Sequence, residues 1–212
     1  FLVSRPWARK YRHGIKLISR IIQSFSTFRL QYLFRIRDSR VEIKPLDIRD
    51  IGQQFDVLWN YRDKQALLCD RSAKQLAWHV KVMRHTQEVK LFGAFSQGTL
   101  EAYALLGIDT VAGTDLRRCR VVDVFGTSSR QILDKLISAA VEYSKKRGLH
   151  VVEINGGSSE ARKAFTKFWP LTRSFPDSPF FFRANSKSME LSVIVSARHG
   201  WQPTQYDGDT SL

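Results

Sequence analysis

Apolar positions change period at intervals along the chain, and those changes mark out its elements. Val41 and Ile43 alternate with polar neighbours as a strand that Pro45 helps to end. Asp47 stands where an N-cap belongs, ahead of Ile48, Ile51, Phe55, Leu58 and Trp59 on one helical face. Asp70 holds the same place before a second helix, whose apolar side carries Leu76, Val80 and Met83. Apolar runs follow at 89–95 and 100–108, and the Ser96-Gln97-Gly98-Thr99 link between them predicts a hairpin. Another strand is expected at 119–125.

The clearest element comes next. Ile132, Leu133, Leu136, Ile137, Ala140 and Val141 repeat as one wide helical stripe. Ser128 or Ser129 caps its start, Lys145, Lys146 and Arg147 complement the dipole at its end, and Gly148 stops it. A strand at 150–154, the turn residues Asn155-Gly156-Gly157 and a helix at 158–168 follow, with Pro170 as terminator. Phe180, Phe181 and Phe182 predict a further strand, and a last segment runs from Met189 into the tail 201–212.

Charge sets the first 38 residues apart. Residues 1–45 carry eleven Lys/Arg against Asp38 and Glu42, which is +9 of the net +14. Ile15, Ile18, Ile22 and Phe25 fall at helical spacing among those cations, so 8–36 reads as an amphipathic helix. Two roles fit: a linker helix packed on another domain, which we favour, or a helix lying on a membrane surface. Lys16, Arg20, Arg29 and Arg35 interrupt 15–36 too often for a membrane span, and a secretory signal is not expected because no clean apolar run leads to a small-residue cleavage site. The expected location is the cytoplasm, with peripheral contact to the inner membrane if 8–36 binds lipid. With no aromatic-basic stripe or reading helix, nucleic acid is a poor fit as partner. Cys69 and Cys119 lie in apolar contexts without metal spacing and are expected to be buried free thiols.

The order is strand, two helices, three antiparallel strands, long helix, strand, helix, then strands. It resembles the GNAT superfamily of acyl-CoA N-acyltransferases over roughly 40–206. Gln75-Leu76-Ala77-Trp78-His79 and Ala102-Tyr103-Ala104-Leu105-Leu106 look like the C-terminal domain of tandem GNAT-like bacterial proteins. The resemblance implies an α/β fold (α+β by some schemes) with a mixed, mostly antiparallel sheet flanked by helices. It also implies a domain at 39–212, residues 1–38 as its linker, and another GNAT-like domain upstream.

The same resemblance implies a site. Acyl-CoA, as acetyl-CoA, would set its pyrophosphate on main-chain N–H groups at the start of the long helix. The matching residues are Val124, Phe125, Gly126, Thr127, Ser128, Ser129 and Arg130. Catalytic members carry Gln/Arg-x-x-Gly-x-Gly/Ala in that loop; this chain has one glycine, two serines and an arginine, which also suits an ordinary serine-capped helix. Asp123 and Glu153 are the candidate catalytic carboxylates. Asp123 could instead pair with Arg118 or Arg120 or cap the following loop, and Glu153 could lie at the surface. The tyrosine usual on the helix after the fifth strand is missing from 158–169, while Tyr103 and Tyr143 read as packing residues. His79 also reads as packing, and Tyr206-Asp207-Gly208-Asp209 as a solvated acidic tail rather than a calcium loop. The expected activity is acetyl transfer to an amine, in envelope or polysaccharide metabolism. The alternative is a non-catalytic GNAT-fold module supporting a partner GNAT domain.

Overall fold

The computed structural model describes residues 40–62, 68–126, 129–168, 172 and 204–207. The basic segment 8–36, the strand expected at 180–182 and the segment from Met189 lie outside them. One sheet is built in the order β1 (Val41–Leu46), β2 (Glu88–Ser96), β3 (Thr99–Thr110), β4 (Arg117–Gly126) and β5 (Val151–Ile154). The first four strands are antiparallel in succession, and β5 lies parallel to β4. A parallel neighbour needs a long crossover. The predicted long helix supplies it.

The helices are α1 (Gln53–Asn60), α2 (Ala73–Met83), α3 (Arg130–Lys146) and α4 (Ser159–Thr166). On one face, Ile132, Leu136, Ile137 and Ala140 of α3, with Phe165 of α4, pack on Ala104, Leu106, Cys119 and Val121. On the other, Phe55 and Leu58 of α1 and Leu76, Val80 and Met83 of α2 pack on Leu91, Tyr103, Leu105 and Val122. The result is the mixed, mostly antiparallel sheet flanked by helices that the resemblance implies.

Two helix starts differ from expectation. Asp47 does cap, but only a three-residue 3₁₀ turn, Ile48–Asp50, closed by the bond from Asp47 N–H to Asp50 Oδ2 at 2.6 Å. The backbone is extended at Ile51 and at Gly52, a poor helix former, so the expected single helix splits there. Ser72, not Asp70, is the N-cap of α2; Asp70 Oδ1 accepts from Ser72 N–H at 2.7 Å. The carboxylate serving α2 comes from α1, where Asp56 Oδ1 accepts from Ala73 N–H at 2.8 Å. The hairpin between β2 and β3 forms as predicted, with Gln97 (φ 50°) and Gly98 (φ 82°) both left-handed, as a two-residue primed turn requires.

The α3 stripe makes a direct test of this packing. Leu136→Ala, at a fully buried position, should cost about 2–5 kcal/mol in urea unfolding with the m-value unchanged.

Candidate functional site

Pairing of β4 changes half-way along the strand. Leu106 pairs with Val121 and Leu105 with Asp123, so Val122 is an extra residue, a β-bulge. The bulge reverses the alternation of side chains. Before it, Cys119 and Val121 face the α3 core; after it, Phe125 faces the α1/α2 core and Val124 packs against the α3 core. Asp123 is turned toward Tyr103 on the α1/α2 face, where strict alternation would have placed it under α3.

The other edge of β4 also changes at this point. β5 pairs only with residues 118–121, ending at Val121 opposite Ile154. Among the described residues, β4 continues through 122–126 without a β5 partner and leads toward the start of α3. Gly126 ends it with φ +130°, and a Cβ there would lie 2.4 Å from the Glu101 carbonyl oxygen. Close approach to β3 accounts for glycine at this position.

Beneath the bulge lies a buried charged cluster. Arg71 grips Asp123 with both arms, Nε to Oδ2 at 2.8 Å and Nη2 to Oδ1 at 3.2 Å. Tyr103 donates its hydroxyl to Oδ2 at 2.8 Å, and the Thr204 hydroxyl lies 3.0 Å from Oδ1. Arg71 Nη2 also reaches Asp207 Oδ2 at 2.8 Å, and Nη1 donates to the Cys69 carbonyl at 2.9 Å. The side chains of Arg71, Asp123 and Asp207 are 1%, 1% and 6% exposed. The guanidinium lies 4.7 Å from the Tyr206 ring centroid, and that ring stacks on His79 at 4.1 Å.

The environment fixes the protonation of these groups. Burial opposes the charge on Arg71, but the adjoining Asp123 carboxylate more than offsets it, and the guanidinium stays charged. Burial first, then Asp123, raises the Tyr103 pKa well above the ordinary phenol value, so its hydroxyl stays a donor. Burial alone would raise the Asp207 pKa; Arg71 and the N–H groups of Thr204 and Cys69 hold it below the usual carboxylate range. His79 is pushed down, chiefly by burial.

Sequence reasoning missed most of this cluster. Arg118 and Arg120, the expected partners of Asp123, are taken by their cross-strand neighbours. Arg118 forms a two-armed pair with Asp109 at 2.7 and 3.2 Å and reaches Glu153 at 3.1 Å; Arg120 reaches Asp109 at 3.3 Å. Glu153 is thus tied to Arg118, apart from the Arg71 cluster, and is partly exposed. The acidic tail is not solvated at Tyr206 and Asp207, because the buried Arg71 draws both inward. Cys119 is a buried thiol with its pKa raised to about 11 by burial, whereas Cys69 is exposed and contributes its main chain. Tyr103 packs as expected but also binds Asp123; His79 is buried as expected.

At the start of α3, Ser129 is the N-cap, and Thr127 and Ser128 lie outside the described residues. Arg130 turns toward α4: Nε meets Asp134 at 2.9 Å and Nη2 donates to the Lys163 carbonyl at 2.8 Å. Lys167 bonds the other oxygen of Asp134, so two cations share one carboxylate at this end of the helix. Val124 and Phe125 spend their side chains in the two cores, leaving only main-chain groups for a ligand. Among the described residues, no group of three or more His, Cys, Asp or Glu is placed to hold a metal ion, and no helix is long and apolar enough to cross a membrane.

No protein-family model matches the chain, and no curated protein matches it significantly. Solved structures do. An aminoglycoside acetyltransferase from an uncultured soil metagenomic sample, in complex with sisomicin, has a TM-score of 0.51 and 15% identity over 69% of this chain and 99% of its own. A ribosomal-protein-alanine N-acetyltransferase from Brucella melitensis gives 0.51 and 19% over 67% and 99%. A glucosamine-6-phosphate N-acetyltransferase from Arabidopsis thaliana gives 0.51 and 16% over the same shares. At such identities the likeness establishes the fold, which is that of the GNAT acyltransferases.

Arg71→Met leaves two carboxylates buried together and should cost about 3–5 kcal/mol in urea unfolding. The shifts of His79 and Asp207 also fix a pH dependence. Both are depressed in the folded protein, so the unfolded chain binds more protons and stability rises with pH. Stability should begin to fall as pH drops below the ordinary histidine value of 6.5, and fall again below the ordinary aspartate value of 3.8. His79→Phe keeps a ring against Tyr206 and should remove the first phase from a thermal-midpoint profile while leaving the second.

Proposed function

We propose that the chain is an acyl-CoA-dependent N-acyltransferase moving an acetyl group from acetyl-CoA to an amine. The observation that carries this reading is the parting of β4 from β5 beyond Val121. Among the described residues it leaves a strand edge that can bond an amide-bearing chain as an added strand would. That edge runs toward the first turn of α3, where N–H groups and the helix dipole favour pyrophosphate. Arg130 and Lys167 add positive charge beyond what Asp134 neutralises. The donor set therefore suits an anion at one end and a polar, extended arm along the strand.

The thioester supplies an activated acyl group; the chain must hold it and take a proton from the attacking amine. Asp123 is the carboxylate we assign to the acceptor side, with protonated Tyr103 beside it. Glu153 we leave as the partner of Arg118. An acceptor amine on a sugar or aminoacyl group of envelope or polysaccharide assembly, an upstream GNAT-like domain joined through 1–38, and a cytoplasmic site rest on the resemblance to tandem GNAT-like bacterial proteins.

A second reading, a non-catalytic module supporting a partner domain, is favoured by a different observation. Both Asp123 oxygens are engaged by Arg71, Tyr103 and Thr204, and α4 contains no tyrosine. Calorimetry and turnover separate the two. Acetyl-CoA should bind with Kd of order 10 μM, about −7 kcal/mol, and release free thiol when amines are supplied. Arg130→Ala and Lys167→Ala should each weaken binding roughly 5–10-fold, with a reduced salt dependence. No heat at millimolar acetyl-CoA would end the acyltransferase reading; tight binding without thiol release for any amine would favour the module.

A further inference from the structure

The Arg71 cluster holds more than a structural pair requires. We propose that it is a latch: residues 69–71 and 204–207 close over Asp123 and open together, as a unit separate from the sheet, to present that carboxylate to an acceptor amine. The acceptor's identity as an amine rests on the acyltransferase reading; the opening itself does not.

The attachment of the two segments is the first argument. Of the described groups on the Asp123 side chain, only Tyr103 belongs to the sheet. Arg71 precedes α2, and Thr204 precedes a three-residue 3₁₀ turn, Gln205–Asp207. Among the described residues, 204–207 join a regular ladder nowhere; Thr204 forms one isolated bridge, to Gly156. The two segments are instead tied to one another. Cys69 N–H donates to Asp207 Oδ1 at 3.0 Å, Arg71 Nη2 donates to Asp207 Oδ2 at 2.8 Å, and the Tyr206 hydroxyl donates to the Asp70 carbonyl at 3.0 Å. Each holds the other shut.

Proton counting is the second argument. Nη2 carries two hydrogens but faces three acceptors: Asp123 Oδ1 at 3.2 Å, Asp207 Oδ2 at 2.8 Å and Thr204 Oγ1 at 3.2 Å. If those hydrogens serve the carboxylates, the single Thr204 hydrogen must choose between Asp123 Oδ1 at 3.0 Å and Asp207 Oδ2 at 3.1 Å. Three hydrogens face five contacts, so two are always unmet. Charge adds a third argument, since one guanidinium sits between two carboxylates in a region nearly closed to water, leaving a net charge of −1. Moving Asp207 and Arg71 outward hydrates the surplus charge, and an ammonium group entering beside Tyr103 takes over the pairing that the buried Asp123 carboxylate requires. Against opening stands the buried Tyr206 ring on His79, which makes closure the resting state.

Amide hydrogen exchange followed by NMR on the unaltered chain, without CoA, tests the latch apart from the acyltransferase reading. The amides of Cys69, Tyr206 and Asp207 should share one exchange rate, at least 100-fold faster than those at 121–125. Thr204→Val should raise that shared rate about tenfold and leave 121–125 unchanged. If 206–207 exchange fast while Cys69 stays protected, the tail merely frays and the proposal fails. If all these amides exchange as slowly as the strand, the cluster is a fixed brace and the proposal also fails. Acetyl-CoA binding measured on the same sample reports on the other reading independently.

Discussion

Asp123 stands in the middle of an apolar strand, buried almost completely, and an unpaired carboxylate there would cost several kcal/mol. The guanidinium of Arg71 meets that demand with a two-armed pair, and much of the surrounding structure follows from bringing it there. It fixes the path of the chain into α2 and holds the Cys69 carbonyl. It also draws Asp207 inward, and with it the Tyr206 ring onto His79. Three stretches far apart in sequence are joined through one side chain.

Around β4 the surplus charges have opposite signs. At the start of α3, two cations share Asp134. Under the bulge, two carboxylates share Arg71. An anion and a cation would therefore be drawn to different places, with the strand between them. The sheet supplies this separation by geometry alone, because the bulge sends Asp123 to one face while the strand continues toward α3.

The sequence reading succeeded where local pattern decides structure. The α3 stripe, the Gln97-Gly98 turn and the existence of a strand at 150–154 all follow from local pattern; the parallel direction of that strand does not. It failed where partners are distant. Arg71 lies 52 residues from Asp123 and 136 from Asp207, and the chain offers 34 Lys and Arg from which no local signal selects it. Near neighbours Arg118 and Arg120 looked better only because cross-strand partners were invisible. Gly126, matched by resemblance to the pyrophosphate loop, is also required to be glycine by its contact with β3. Gly52 went the other way, dividing a helix that the apolar pattern had joined.

The bulge at Val122 also bears on how relatives of this chain should be aligned. It adds one residue to β4 without adding a pair to the ladder, so a homologue lacking it would be one residue shorter yet just as well paired. Deleting Val122 would leave Asp123 directly after Val121 and still on the Arg71 face, with Val124 and Phe125 on the faces they now occupy. An alignment that spreads this gap into a neighbouring loop would equate residues on opposite sides of the sheet. Co-variation between positions 71 and 123 should therefore appear only where the gap is placed at the bulge itself.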